Sequence, residues 1–219
     1  MKIVSNTNFN LLGDRNYVNS FSIIEYIYLN HTKLSGWDIE DMLLDIKFYK
    51  LITCNCVVGV SNEPVKNISE EILCEAVISC EIGKCFIYFK KNASGKKLGQ
   101  ANINYNVMEI EVYGNYSGNY KIRSDSYGQF VKNLIEANKR VHLQSNIGKS
   151  LKVINMYMRN IPLFLDQNIE WSELQIKNIG LRKLSDGSIS TLNKVRVSRT
   201  IDVHIGFNII GETLCTMKV

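Results

Sequence analysis

The feature that most constrains this chain is the strict alternation near its C-terminus. From Val195 to Ile210 seven apolar residues fall at odd positions, Val203 and Phe207 among them, and only Ile210 falls at an even one. Successive side chains of a strand point to opposite faces, so this pattern predicts a long strand with one apolar face. A second alternation at Val107–Tyr113 separates three apolar residues from Glu109 and Glu111. Both segments predict sheet that covers a core with one face only.

Between these strands, apolar residues at three- and four-residue spacing predict a helix over Ser126–Asn138. The same reasoning predicts further elements. Helices are expected near residues 22–28, 38–49 and 69–76, and strands at 51–60, 84–91, 103–113, 141–144, 151–158 and 169–179. The fold class expected is α+β, with a mainly antiparallel or mixed β-sheet and flanking helices in a single domain. That domain would span residues 16–219, after a flexible arm formed by the polar residues 1–15.

Composition agrees with one globular domain. The chain has 219 residues, 45% of them hydrophobic, and only 2 prolines and 14 glycines. That length suffices to bury a core, and the low proline and glycine content argues against a disordered chain. No signal peptide and no uncharged run of membrane-spanning length is visible, which predicts synthesis in the cytosol and no membrane partner.

Charge is distributed unevenly along the chain. The chain has 26 Lys/Arg and 21 Asp/Glu residues in total. Residues 1–110 carry 11 of the basic and 12 of the acidic residues, so residues 111–219 carry 15 basic and 9 acidic residues. The basic excess is densest in one segment, which supplies the candidate interface residues. These are Lys177, Arg182, Lys183, Lys194, Arg196 and Arg199. Such a cluster would suit DNA phosphates or an acidic partner, although a solvated loop is the simpler interpretation.

The cysteines and histidines predict no catalytic or metal site. Cys54 and Cys56 lie in an apolar run, which favours reduced, buried thiols over the close cysteine pairs of a zinc site. The three histidines are scattered, and His142 is expected to begin a short strand. Gly148-Lys149-Ser150 ends like a phosphate-binding loop, but the glycine required five residues earlier is Leu143. These patterns therefore predict no catalytic, cofactor-binding or metal-binding residue, and no enzymatic activity.

The block from residue 107 to 210 resembles the tail or neck terminator proteins of tailed bacteriophages. The pieces that carry the resemblance are Glu111-Val112-Tyr113-Gly114, the helix around Phe130–Ala137, Arg159-Asn160-Ile161-Pro162, and the final strand from Arg199 to Ile205. An extra hairpin at 177–194 departs from that pattern.

The resemblance implies a ring-forming virion protein that caps the tail tube and joins it to the head-side neck. Its partners would be copies of itself, possibly in a hexamer, with tail-tube and head-completion or connector proteins and a transient DNA contact. Its location would be the virion tail or neck, after synthesis in the host cytoplasm. Two alternatives remain open: a viral or phage protein that binds and blocks a host partner, and a nucleotide-handling enzyme using Lys96, Lys97, Lys149 and His204.

Overall fold

A computed structural model of the chain describes residues 1–7, 9–12, 17–38, 41–92, 98–101, 104–113, 116–144, 151–163, 171–198 and 201–211. The chain divides into two compact units. Unit 1 comprises Met1–Asn104 and Ile161–Leu165, and unit 2 comprises Tyr105–Asn160 and Asp166–Val219.

Unit 1 is built from an antiparallel sheet and one long helix, α1, in its described part. Its elements are β1 (Lys2–Asn6), β2 (Asn10–Leu12), α1 (Ser20–Ser35), β3 (Leu43–Phe48), β4 (Cys56–Ser61), β5 (Ile72–Cys80), β6 (Gly83–Lys91) and β7 (Gly99–Ala101). The strand order is β1-β4-β6-β5-β3, and all these pairs are antiparallel. β2 and β7 form a separate parallel pair.

Local chemistry fixes both ends of α1. The Asn19 side chain caps the first turn by accepting a hydrogen bond from the Phe21 N–H, at 3.3 Å. Gly36 ends the helix with a left-handed φ of 78°, and its N–H donates to the Thr32 carbonyl at 2.8 Å. Glycine adopts that conformation without the steric cost that a Cβ would impose. Ile23, Ile24 and Ile27 are fully buried against the sheet of unit 1.

Unit 2 repeats this combination of a sheet and a long helix. Its elements are β8 (Val107–Tyr113), β9 (Ser117–Arg123), α2 (Tyr127–Gln144), β10 (Leu151–Pro162), β11 (Trp171–Lys183), β12 (Ile189–Val197) and β13 (Ile201–Gly211). The strand order is β10-β13-β12-β11-β9-β8, again antiparallel throughout.

Helix α2 packs against several strands of the sheet of unit 2. Its side chains bond to two of them, since Arg140 donates to the Val107 carbonyl on β8 and His142 contacts Thr191 on β12. Consequently α2 is buried on several faces, and Phe130, Val131 and Leu134 are at most 1% exposed. Gln129, Lys132, Glu136 and Arg140 form a partly exposed polar face, whereas polar residues on the buried faces must find partners inside the unit.

The predicted α+β class, with a mainly antiparallel sheet and helices packed on it, is confirmed. The buried face of the C-terminal alternation is also found, because Val195, Val203 and Phe207 are at most 2% exposed. The predicted domain limits, including the flexible arm at residues 1–15, stay a prediction. Residues 2–6 of that segment form β1 and pair with β4.

Several predicted elements are wrong. Residues 43–48 and 72–80 form the paired strands β3 and β5 where helices were expected. Over so few residues a two-residue alternation also satisfies much of a helical spacing, and strand pairing decides between them. Residues 141–144, predicted as a strand, form the last turn of α2. The alternating segment 195–210 is two paired strands, β12 and β13. Residues 107–113, within the predicted strand 103–113, form β8 and pair with β9.

Candidate functional site

The helix α2 carries three asparagine and histidine side chains that are completely buried. Asn133, Asn138 and His142 are each 0% exposed. Asn133 has a structural explanation, because its side chain accepts from the Asn106 N–H at 3.1 Å and donates to the Arg123 carbonyl at 2.7 Å. It therefore fastens α2 to the segments that flank it in the chain. Asn138 and His142, one turn apart near the C-terminal end of α2, form a different arrangement.

His142 forms a short hydrogen bond with a threonine hydroxyl. Its Nε2 lies 2.6 Å from Oγ1 of Thr191 on β12, and its Nδ1 lies 2.6 Å from the backbone carbonyl of Asn138. A carbonyl can only accept, so Nδ1 carries the proton in the neutral imidazole, and Nε2 is left as an acceptor. The Thr191 hydroxyl therefore donates to Nε2. Its other neighbour, the Phe207 carbonyl, is more distant at 3.4 Å.

Burial keeps this imidazole neutral. Removal from water lowers the pKa of His142 to about 4, against which the hydrogen bond to the Asn138 carbonyl acts weakly. At neutral pH the Nε2 lone pair is therefore available to accept a proton. Two aromatic rings flank the imidazole. Tyr116 stacks on it at 5.2 Å between centroids, and Phe207 lies at 5.2 Å with a tilted ring.

A chain of three asparagine amides runs alongside the Thr191–His142 pair. Asn178 donates from Nδ2 to the carbonyls of Gly180 and Leu192, and also to Oδ1 of Asn193 at 2.8 Å. Asn193 in turn donates from Nδ2 to Oδ1 of Asn138 at 2.8 Å. The two backbone carbonyls can only accept, so they fix the orientation of the first amide, and each amide then fixes the next.

The amide chain ends in a donor without a partner. Nδ2 of Asn138 is buried and makes no hydrogen bond within the part of the chain that the structure describes. Thr191 and Asn193 lie two residues apart on the inner face of β12, as Asn138 and His142 lie one turn apart on α2. The bonds Asn193–Asn138 and Thr191–His142 are thus neighbouring links between the same helix and strand, roughly 6 Å apart.

This cluster lies near solvent although its members are buried. Leu181 on β11 pairs directly with Thr191, so the two side chains share a face of the sheet, and Leu181 is 56% exposed. Tyr116, which stacks on the imidazole, is only half-buried and has an unusual positive φ of 59°. A bulky residue in the left-handed region is uncommon and marks local strain. The cluster therefore sits where the inner face of the sheet approaches the surface.

Chemically, the cluster combines a hydroxyl, a neutral base that receives its proton, a carbonyl that orients the base, and a free N–H donor. These are the parts that acyl transfer requires: a nucleophile, a general base and a stabiliser of the oxyanion.

A similar pair lies on α1, where Nδ1 of His31 is 2.6 Å from the Tyr28 carbonyl and Nε2 is 3.1 Å from Oγ1 of Thr32, but this pair is at the surface. The other reactive side chains in the described part of the chain give no comparable buried arrangement. Burial raises the pKa of the Cys56 thiol to about 12 and that of Cys74 well above its ordinary value, so both stay protonated and poorly nucleophilic. Burial, followed by its hydrogen bond to Glu75 at 2.5 Å, raises the pKa of Tyr49. That tyrosine is a donor and not a base. No group of three or more His, Cys, Asp or Glu residues within the described ranges could hold a metal ion.

The basic residues chosen from the sequence lie elsewhere. Lys194 and Arg196 both bind Asp202 across β12 and β13, at 2.7 Å and 2.9 Å, and these two bonds lower the pKa of Asp202 to about 2, with Arg196 the larger cause. Lys177, Arg182 and Lys183 are exposed on β11. Arg199 lies outside the described residues. None of the five described residues takes part in the His142 cluster, and their proposed interface role stays a prediction.

Comparison with known proteins gives a fold. No protein-family model and no curated protein sequence matches the chain. The TesB protein of Mycobacterium avium subspecies paratuberculosis superposes with a TM-score of 0.54 at 8% identity, covering 93% of this chain and 91% of that one. An inactive variant of the CurJ dehydratase, solved with a bound compound, superposes with a TM-score of 0.50 at 7% identity, covering 93% and 87%.

A third protein, from Alicyclobacillus acidocaldarius and described as having a hot dog fold, gives a TM-score of 0.49 at 8% identity, covering 90% and 88%. The first two matches carry the comparison. The fold shared with them combines antiparallel strands with two long helices in the described part of this chain.

These matches correct the functional predictions drawn from the sequence. The resemblance to phage tail terminators is wrong, and with it the structural virion role, the host-blocking alternative and the virion location. The expectation of a protein without enzymatic activity is also wrong, since the fold is shared along nearly the whole chain with a dehydratase and with the TesB protein. The short strand and helix motifs that carried the terminator resemblance occur in many folds, so they do not identify a family. The predicted partners, including a ring of identical subunits and DNA, are not tested by these findings.

The structure places no helix long and apolar enough to cross a membrane in the residues it describes.

Sequence reasoning missed the cluster because it placed His142 on a strand. Extending the predicted helix by one turn would have put His142 four residues after Asn138 on the same face. The polar residues Thr191 and Asn193 also share the buried face of β12, a signal of period two that was available in the sequence. The contact between the pair on α2 and the pair on β12 is visible only in the tertiary structure.

Proposed function

We propose that this protein is a hydrolase of acyl thioesters, with its reaction centre in unit 2. The observation that carries the proposal is the Thr191–His142 hydrogen bond of 2.6 Å, formed by a neutral imidazole whose other nitrogen is held by a backbone carbonyl. Support for an acyl substrate comes from the fold match with the TesB protein and the CurJ dehydratase.

In the first step Oγ1 of Thr191 attacks the thioester carbonyl carbon, and its proton passes to Nε2 of His142. The carbonyl oxygen becomes an oxyanion. When this intermediate collapses, the carbon–sulfur bond breaks and the leaving thiolate takes the proton from His142. The product of this half-reaction is a free thiol and an acyl ester on Thr191.

In the second step a water molecule attacks the acyl ester while His142 again takes the proton. Collapse releases a carboxylic acid and returns the proton to Thr191. A base with a pKa of about 4 is weak in the empty site. The developing negative charge on the substrate oxygen would favour the imidazolium and raise that pKa during the reaction.

Dehydration of a β-hydroxyacyl thioester is a second candidate, favoured by the fold match with the CurJ dehydratase. His142 would then remove the α-proton, and the β-hydroxyl would leave as water. Thr191 would not be a nucleophile in that reaction.

The experiment offers the purified protein a panel of saturated and β-hydroxyacyl thioesters of short and medium chain length. Thiol release is followed with a chromogenic disulfide, and enoyl formation by ultraviolet absorbance. Hydrolysis predicts thiol release from saturated substrates, lost by at least about 100-fold in Thr191→Val and His142→Gln. A Thr191→Ser variant, which keeps the hydroxyl, should retain measurable turnover.

A matched control is Thr32→Val, which removes a threonine hydroxyl from the exposed region of unit 1. It should turn over at the parent rate. Enoyl product without thiol release would establish dehydration instead. Turnover of saturated thioesters that Thr191→Val leaves unchanged would show that the reaction takes place at another site.

A further inference from the structure

We propose that Nδ2 of Asn138 is the oxyanion donor of this site, and that Asn178 and Asn193 are positioning residues that aim it. The proposal rests on the hydrolase function above. It assigns a role to the unpartnered buried amide at the end of the asparagine chain.

The orientation of Asn138 is determined at a distance. Asn178 must donate, because it lies against the carbonyls of Gly180 and Leu192 at 3.1 and 3.3 Å. Asn193 therefore accepts from Asn178 with its Oδ1, and its Nδ2 donates to Oδ1 of Asn138 and to the Tyr116 carbonyl. Asn138 must then accept with Oδ1, so its N–H₂ faces away from Asn193. Reversing any one amide would set two oxygens or two N–H₂ groups against each other.

A purely structural role does not explain this arrangement. Leaving a buried donor without a partner is destabilising, and a leucine of similar size would avoid that cost. The unpartnered Asn138 donor lies next to the Thr191 hydroxyl, which is hydrogen-bonded to the base His142. Asn138 also serves this base directly, because its backbone carbonyl fixes the imidazole tautomer. One residue thus orients the base through its backbone and offers a donor through its side chain.

The geometry is suited to an oxygen bound at the Thr191 end of the cluster. The Asn138–Asn193 and His142–Thr191 links are separated by about one helical turn, roughly 6 Å. The proposal places the oxyanion formed by attack of Thr191 between these two links, next to Nδ2 of Asn138. The donor is fully buried, where it acts without competition from water.

The test measures kcat and KM for the best thioester with three variants. Asn193→Asp keeps an acceptor for Asn178 but removes the donor to Asn138, so the Asn138 amide should rotate and present its oxygen to the site. Asn138→Leu removes the donor outright. Both should lower kcat by about 100- to 1,000-fold with KM changed by less than about threefold, as expected for an interaction made in the transition state.

Ser172→Ala is the matched control. Its hydroxyl on β11 is likewise buried without a partner in the described structure, but lies outside the cluster. This variant should keep the parent kcat. Circular dichroism and thermal melting establish that each variant is folded. Asn193→Asp conserves size and loses the bond to the Tyr116 carbonyl, while its carboxylate can still accept from Asn178 and from a rotated Asn138 amide, so it covers the case in which Asn138→Leu fails to fold.

The outcomes separate the two proposals. If the parent enzyme turns over and Asn193→Asp or a folded Asn138→Leu stays within about threefold of its kcat, the donor role is wrong and the hydrolase function stands. If the parent releases no thiol from any thioester, the hydrolase function fails and this inference fails with it. An equal loss of kcat in Ser172→Ala would also overturn it, because the effect would then belong to core packing.

Discussion

The burial of His142 makes the stability of this protein depend on pH in a predictable window. The side chain is 0% exposed, and burial lowers its pKa from 6.5 to about 4. In the unfolded chain the imidazole regains its ordinary pKa near 6.5. Between these two values the unfolded state binds a proton that the folded state does not, so the free energy of unfolding falls as the pH falls. Above pH 6.5 the contribution of His142 to stability is fully present.

The size of the effect follows from the two pKa values. A difference of about 2.5 units corresponds to about 3 kcal/mol, at 1.36 kcal/mol per unit, once the pH is below both values. About 2 kcal/mol of this loss is reached by pH 5. Against a total stability of roughly 5 to 15 kcal/mol, that is a large change for one side chain.

The assay is urea unfolding of the parent and of His142→Gln at several values from pH 8 to pH 4.5. Carboxylates titrate in both proteins, so the difference between the two curves isolates His142. The parent should lose about 2 kcal/mol relative to the variant between pH 7.5 and pH 5. His204→Gln, which alters a half-buried histidine on β13, serves as the control and should retain the His142-dependent loss.

Parallel curves for the parent and His142→Gln across this range would refute the reasoning. They would mean that His142 gains a proton as easily in the folded protein as in the unfolded one. In that case the neutral Nε2 on which the proposed reaction depends would also be in doubt.

The remaining predictions concern packing and hydrogen bonding in unit 2. Asn133→Leu should lower the free energy of unfolding by about 2 to 4 kcal/mol in urea titrations, since the Asn106 N–H and the Arg123 carbonyl lose their buried partner; a loss below about 1 kcal/mol would show that these groups find other partners. Gly206→Ala should cost about 1 to 3 kcal/mol, because a Cβ there would lie 2.2 Å from the Tyr157 ring. Combining Gly206→Ala with Tyr157→Ala should remove the clash. Gly180→Ala is the control, because its Cβ would meet its nearest neighbour, Leu192, at 3.4 Å; in thermal melts it should lower the stability less than Gly206→Ala alone.

The sequence was sufficient for the long elements whose pattern has one interpretation. The region of α1, most of α2 and the C-terminal alternation follow from apolar spacing, because burial of one face selects the matching period. It failed for segments such as 43–48 and 72–80, which are short enough to satisfy both periods. There the hydrogen bonds to a neighbouring strand decide the conformation, and those partners are distant in the chain.

The candidate site shows the same division. From the sequence alone, the types of side chain near residues 138–142 and 191–193 are fixed, and so is the alternation that places Thr191 and Asn193 on one face. Only the tertiary structure brings β12 against α2 so that His142 meets a residue 49 positions away and Asn138 one 55 positions away. The properties that matter for chemistry also arise there. Burial between the helix and the sheet lowers the histidine pKa, and backbone carbonyls of β11 and β12 orient the amides. Low polarity and fixed acceptors exist only once the strands have packed on the helix.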